Sequence, residues 1–186
     1  MDLGRDRILE RVRTALREPA MRPAPPLDSP IWPPLADVES RFRTEFAAAR
    51  GEMITDVGAL RELLTGFKLI ATDDNELVRG VVGEGNADIR ECELGVTGCE
   101  CLVARTGSIV VTTRALSVLP PVHLVIARRE QLVPDLDASM ALLRQRYAGR
   151  WPSALSVITG PSRTADIEKV LVMGAHGPKR LALYFA

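Results

Sequence analysis

The strongest constraint on this chain is a hydrophobic period that switches repeatedly along it. "EMIT" alternates as a strand does, "DVGALRELLTG" carries apolar residues at helical spacing, and "FKLIAT" returns to the strand pattern. Asp56 stands near the start of that helix and Gly66 at its end. The succession recurs towards the C-terminus. "PDLDASMALLRQRYAG" reads as a helix with Pro134 at its start and Leu136, Met140, Leu143 and Tyr147 on one stripe. "ALSVITG" then reads as a strand, "TADIEKVLVMG" as a helix and "KRLALYFA" as a terminal strand. Strands separated by helices of about ten residues point to a mainly parallel sheet covered on both faces. The expected fold class is α/β, a three-layer α/β/α domain.

Between Leu94 and Thr113 the runs "CELGVTG", "CLVA" and "SIVVTT" follow one another too closely for helical connections, so an antiparallel or hairpin element is expected there. "PVHLVIAR" is a further strand, "NELVRGVV" fits either period, and "GEGNADIRE" is a polar loop. Upstream, Ile8, Leu9, Val12, Ala15 and Leu16 share one helical face among arginines and glutamate. Glu18 to Pro34 then holds seven of the thirteen prolines and reads as an extended linker. From Asp37, the apolar residues Val38, Phe42, Phe46 and Ala49 keep helical spacing up to Gly51. The expected organisation is an amphipathic helix over 1–18, a Pro-rich linker over 19–34 and an α/β domain over 35–186.

A chain of 186 residues can bury roughly 70% of its unfolded surface in one core, so neither disulfide nor metal is needed to hold it. Lys plus Arg and Asp plus Glu both number 24, and no basic face is long enough to follow a phosphate backbone. No nucleic-acid partner is expected. No run approaches the roughly 18 apolar residues that span a bilayer, and the charged N-terminus has no signal-peptide core, so a cytoplasmic location is expected. Cys92, Cys99, Cys101 and two histidines include a C-x-C but no C-x-x-C, and do not offer four ligands at the set spacing of a zinc site or a Cys-ligated iron–sulfur cluster. "GVVGEGNAD" lacks the spacing of a dinucleotide loop. No cofactor and no metal are expected in this chain.

Three segments carry chemistry. Thr159, Gly160, Pro161, Ser162, Arg163 and Thr164 lie where a strand is expected to lead into a helix, and ligands of open α/β sheets collect at strand C-termini. A helix N-terminus contributes about 0.3 to 1 kcal/mol to an anion, and each charge-assisted bond about 1.5 to 3 kcal/mol, together enough for roughly millimolar binding of a carboxylate or phosphate. Alternatively Ser162 or Thr164 only caps the helix. Thr97-Gly98 and Thr106-Gly107 permit tight turns that, if their flanks pair, face one cleft near Glu100 and Ser108; two ordinary hairpin turns are the alternative. His123 lies in an apolar run, where a core histidine competes with a proton-transfer role.

Taken together, "GVTGCECLVARTGSIVV", "LSVLPPVHLVIARREQLVPDL" and "ITGPSRTADIEKVLVMGAHGPKRLALYF" resemble the motifs of the LUD-domain family, of the lactate-utilisation protein C (LutC, YkgG) type. The resemblance runs from about Gly95 to the C-terminus. It implies the fold shared by ribose-5-phosphate isomerase, glucosamine-6-phosphate deaminase and CoA transferases. It also implies a part in oxidising L-lactate to pyruvate beside iron–sulfur and cysteine-rich partner proteins, with the clusters on a partner. The motif positions carry over onto Thr97, Gly98, Glu100, Thr106, Gly107, His123, Thr159, Gly160, Ser162, Arg163, Thr164, Asp166 and His176, with Arg105 where an acidic residue is usual and Ser108 where Thr is common. Thr97, Gly98, Thr106, Gly107, Ser108, Thr159, Gly160, Ser162, Arg163 and Thr164 are the expected contacts of a small anionic metabolite, and Glu100 and His123 the candidates for proton transfer. Two alternatives accompany this reading. One is a non-catalytic assembly or regulatory subunit, with the N-terminal helix docking a partner or a second copy. The other, by fold analogy, is an isomerase- or transferase-like enzyme for a sugar phosphate or CoA compound.

Overall fold

The computed structural model describes residues 3–17, 32–164, 172–173 and 177–186. The chain divides into two units, Met1–Pro33 and Pro34–Ala186. In the first, α1 (Leu3–Arg17) is an amphipathic helix whose Ile8, Val12 and Leu16 are exposed. Residues 18–31, most of the expected linker, lie outside the described residues.

The second unit begins with α2 (Val38–Ala48), which starts where the Asp37 carboxylate accepts the Ser40 N–H at 2.9 Å. There follow β1 (Glu52–Ile54), α3 (Val57–Thr65), β2 (Ile70–Thr72), α4 (Glu76–Val82), β3 (Leu94–Thr97), β4 (Cys101–Val103), β5 (Ser108–Val111), α5 (Arg114–Val118) and β6 (Val122–Ala127). A short 3-10 turn (Arg129–Gln131), β7 (Leu132–Val133), α6 (Leu136–Tyr147), β8 (Ser156–Ile158), β9 (Arg163–Thr164), β10 (Val172–Met173) and β11 (Arg180–Phe185) complete the order. Asp56 caps α3 by accepting the Ala59 N–H at 2.9 Å. The ambiguous "NELVRGVV" is helical because Asn75 accepts the Leu77 N–H at 2.9 Å while Leu77, Val78, Val81 and Val82 pack towards the sheet.

Among the described residues the largest sheet has the order β1-β11-β6-β3-β2, and every neighbouring pair is parallel. Central β6 is buried along its whole length, and its residues alternate between two cores. Val122, Leu124 and Ile126 join Leu60 of α3 and Val78 of α4, whereas Val125 and Ala127 join Phe42 and Phe46 of α2. That second face is covered by α2 together with another sheet, of order β7-β4-β5-β8, whose Leu102, Ile109 and Val111 share the α2 core. Leu143 and Met140 of α6 cover the far side of this second sheet against Cys101, Val103 and Val110. The α/β class with a mainly parallel sheet stands, with a sheet and α2 in the layer where helices alone are expected.

Two expectations are corrected here. Arg163 and Thr164 pair antiparallel with Met173 and Val172, so the described ends of the helix expected over "TADIEKVLVMG" are extended; its middle lies outside the described residues. Thr and Val are both strand formers, and the ladder satisfies backbone groups that a helix would otherwise pair. On α6, Leu136 is exposed, because it stands in the first turn, outside the cluster that Met140, Leu143 and Tyr147 join.

Candidate functional site

Parallel strands end at one edge, and there β2, β3 and β6 stand side by side at spacings of about 5 Å. Just past β2, the Asp73 carboxylate reaches across to β3. Its Oδ2 accepts the Gly98 N–H at 2.9 Å and the Thr113 hydroxyl at 3.4 Å, and its Oδ1 accepts the Asn75 N–H at 3.2 Å. Burial raises the Asp73 pKa above the ordinary carboxylate value, against the pull of those hydrogen bonds, and the charge of Asp74 adds to the rise. Asn75 lies over Gly98: a Cβ on Gly98 would overlap its Nδ2 and come within 2.6 Å of its Cγ, so this close approach requires glycine. Because Asn75 Oδ1 is engaged by Leu77, its Nδ2 donors are what it offers to the edge.

Beyond Gly98, Glu100 is held from three sides. Arg146 donates to its carboxylate and, at 3.2 Å, to its backbone carbonyl, while Thr112 donates to Oε1 at 3.4 Å. The Tyr147 hydroxyl bonds the same carboxylate; burial first, then that bond and charge, push its pKa up to about 12 and keep it protonated. Two clefts open at this edge. One, of about 750 Å³, is lined by Asn75, Glu76, Leu77, Cys99, Ile126, Arg128, Glu130, Gln131 and Arg146. The other, of about 480 Å³, is lined by Thr72, Asp73, Asp74, Asn75, Thr112, Thr113 and Leu116, so Asn75 belongs to both. The first offers two guanidinium groups, which suit a carboxylate, and the second a carboxylate and hydroxyls. Their size is that of small-molecule sites.

The residues expected from sequence are distributed differently. Gly98 and Glu100 do stand at this edge. Thr97 and His123 are wholly buried and share a hydrogen bond of 2.9 Å between Oγ1 and Nε2. Burial lowers the His123 pKa to about 4, and its Nδ1 has no hydrogen-bond partner among the described residues. A central strand places this imidazole in the interior, the core position that competes with a proton-transfer role for it.

The two Thr-Gly turns do not share a cleft, because Thr97-Gly98 ends β3 whereas Thr106-Gly107 turns the far end of the β4–β5 hairpin. Gly107 has φ 60° and is pressed against the backbone of Glu45 and Phe46 in α2. Ser108 Oγ lies 2.7 Å from both Thr106 Oγ1 and Thr159 Oγ1. Gly160 abuts the Ala49 carbonyl, the Ser162 N–H donates to Pro178 O at 2.8 Å, and Arg163 is exposed. These groups therefore gather by the end of α2 and the start of β11, at the N-terminal edge of the parallel sheet. The strand before the 159–164 loop is β8, a member of the second sheet, so the rule for parallel-strand C-termini does not reach it. Of Thr164 only the backbone is described, and Asp166 and His176 lie outside the described residues.

Sequence reading missed Asp73, Asn75, Thr112, Thr113, Arg128 and Arg146. The first two carried a usable signal, since "TDDN" directly follows a strand of the βα succession; Arg146 is brought in by the end of α6 and carried none. Among the described residues no group of three His, Cys, Asp or Glu side chains is placed to hold a metal ion, and no helix is long and apolar enough to cross a membrane.

Residues 38–185 match the model of the LUD domain. Lactate utilization protein C of Bacillus licheniformis is 34% identical over 108 residues, covering 53% of this chain and 45% of that protein. Its namesake from Bacillus subtilis is also 34% identical, over 109 residues and the same shares. YkgG of Escherichia coli is 35% identical over 102 residues, 51% of this chain and 44% of its own length. The chain thus spans about half the length of the curated relatives it matches. A crystal structure of a DUF162 family protein from Deinococcus radiodurans aligns with a TM-score of 0.56 at 19% identity, over 82% of this chain and 99% of that one. This last likeness shows the fold alone.

Proposed function

The chain belongs to the LUD-domain family, and on that premise we propose that it serves a lactate-utilisation system by binding a small carboxylate, of the class of L-lactate and pyruvate, at the C-terminal edge of its parallel sheet. The names of the relatives support the pathway. The observation that carries the binding is the pair Arg128 and Arg146, converging on one cleft with the Asn75 amide beside them. Arg146 is already engaged by Glu100, which fixes its position, while Arg128 forms no ion pair among the described residues. Oxidation of L-lactate needs an electron acceptor, which we assign to an iron–sulfur partner, in keeping with the absence from this sequence of four cysteine or histidine ligands at a cluster's set spacing.

Titration calorimetry with L-lactate and with pyruvate tests this reading. Millimolar binding is expected, with Arg128→Ala raising Kd about tenfold or more, the equivalent of one charge-assisted contact. No heat from either acid, or an unchanged Kd in the variant, refutes it. The exposed apolar residues of α1 favour a second reading, an assembly role in which this helix docks a cysteine-rich or iron–sulfur partner, or a second copy of the chain.

A further inference from the structure

We propose that Asp73 is a proton-transfer residue, and that the cleft it lines removes and returns a proton on the carbon beside the carbonyl of a bound 2-oxo acid. This rests on the carboxylate-binding reading and deepens it from holding a ligand to chemistry performed by this chain.

The first support is geometric. Three donors from three separate segments, the N–H groups of Asn75 and Gly98 and the hydroxyl of Thr113, hold the Asp73 carboxylate at the mouth of its cleft. A carboxylate has about four lone-pair sites, so one remains for a ligand. The second support is a contrast between the two carboxylates of the edge. Glu100 is paired with Arg146, whereas no Lys or Arg pairs with Asp73 among the described residues, and burial raises its proton affinity. A carboxylate left without a cation beside an open cleft is placed to take up a proton from a ligand, a role that the ion-paired Glu100 does not share. The third is the Asn75 amide, which lines both clefts and offers Nδ2 where negative charge would develop. The ends of β2 and β6 are two strand spacings apart, about 10 Å, and Asn75 lines both the cleft of Arg128 and the cleft of Asp73, so an acid whose carboxylate meets Arg128 has to extend past Asn75 for its far carbon to reach Asp73.

With pyruvate the step balances without any oxidant. Asp73 takes a proton from the methyl carbon, the C–H electron pair becomes the carbon–carbon double bond, and the carbonyl pair moves onto oxygen, where Asn75 donates to it. The reverse step returns a proton, or a deuteron once Asp73 has exchanged with heavy water.

The test is proton NMR of pyruvate with the full chain in deuterated buffer. Loss of the methyl signal faster than in buffer alone is expected, with Asp73→Asn slowing it about 100-fold or more while pyruvate Kd stays within about threefold. An asparagine must turn an NH2 group towards the N–H of Gly98 or Asn75, so the variant's fold is checked by circular dichroism. The wild-type rate against pH provides a measurement that needs no variant, and it should rise through a midpoint above the usual carboxylate range. Pyruvate bound without exchange, exchange undiminished in Asp73→Asn, or a midpoint at the ordinary carboxylate value each overturn the proposal and leave the binding reading intact. Absence of pyruvate binding overturns both.

Discussion

Gly107→Ala is expected to be severely destabilising, and the size of the effect is set by what its Cβ would meet. At φ 60° an L-residue pays roughly 1 to 2 kcal/mol for the left-handed conformation. The new methyl would also be driven into the backbone of α2 at Glu45 and Phe46, the Phe46 Cα lying 2.7 Å from it. Backbone cannot rotate aside, so α2 or the hairpin turn must shift, and overpacking of this kind costs typically 1 to 3 kcal/mol. The total, about 2 to 5 kcal/mol, is a large part of the 5 to 15 kcal/mol that keeps a domain folded. For a domain of this size it lowers Tm by roughly 4 to 20 °C. Gly149→Ala is the control: its φ is 86°, yet no atom lies within 4 Å of the added carbon, so it pays only the backbone part. Urea titrations of both variants separate the two contributions. Equal losses for the two would refute the close packing of the Thr106-Gly107 turn on α2, and with it the assignment of that turn to structure.

Gly98→Ala differs because its Cβ meets the end of the Asn75 side chain, which can move; stability should fall by less than about 1 kcal/mol while pyruvate Kd rises severalfold, as calorimetry would show. His123 predicts an acid-sensitive fold. In the unfolded chain it titrates near 6.5 and in the folded chain at about 4, so below 6.5 the unfolded state takes up a proton that the core refuses. The stability it allows is complete above 6.5 and is lost as pH falls towards 4, by up to about 3 kcal/mol. His123→Gln should flatten this part of the profile in urea titrations between pH 7.5 and 4.5, and equal slopes in both proteins would contradict it.

Local signals carried α2, α3 and α6, because a capping carboxylate or a helical stripe acts within a few residues: Asp37 on Ser40, Asp56 on Ala59. The period-2 runs likewise marked most strands. What period cannot tell is the sheet that a strand joins. "EMIT" and "ALSV" look alike, yet β1 pairs parallel with β11 while β8 pairs antiparallel with β5. That difference moved the 159–164 loop from the expected binding edge to the opposite one. The position of Asp73 just past a strand was legible in "TDDN", but its hydrogen-bond partners were not: Gly98 and Thr113 lie 25 and 40 residues away in sequence.

The two edges of the parallel sheet use the same small vocabulary of hydroxyls and glycines under different physical constraints. At the N-terminal edge Thr106 and Thr159 bond the buried Ser108, and Gly107 and Gly160 let backbones touch α2, so that among the described residues these hydroxyls bond one another. At the C-terminal edge the arrangement is left incomplete. Gly98 brings the Asn75 amide close without using its donors, and the N–H of Gly98 tethers a half-buried carboxylate that no cation neutralises among the described residues. A half-buried charge that hydrogen bonds hold but no cation neutralises is unfavourable for folding. A fold that tolerates it beside an open cleft has the local cost expected where stability is given up for binding or catalysis.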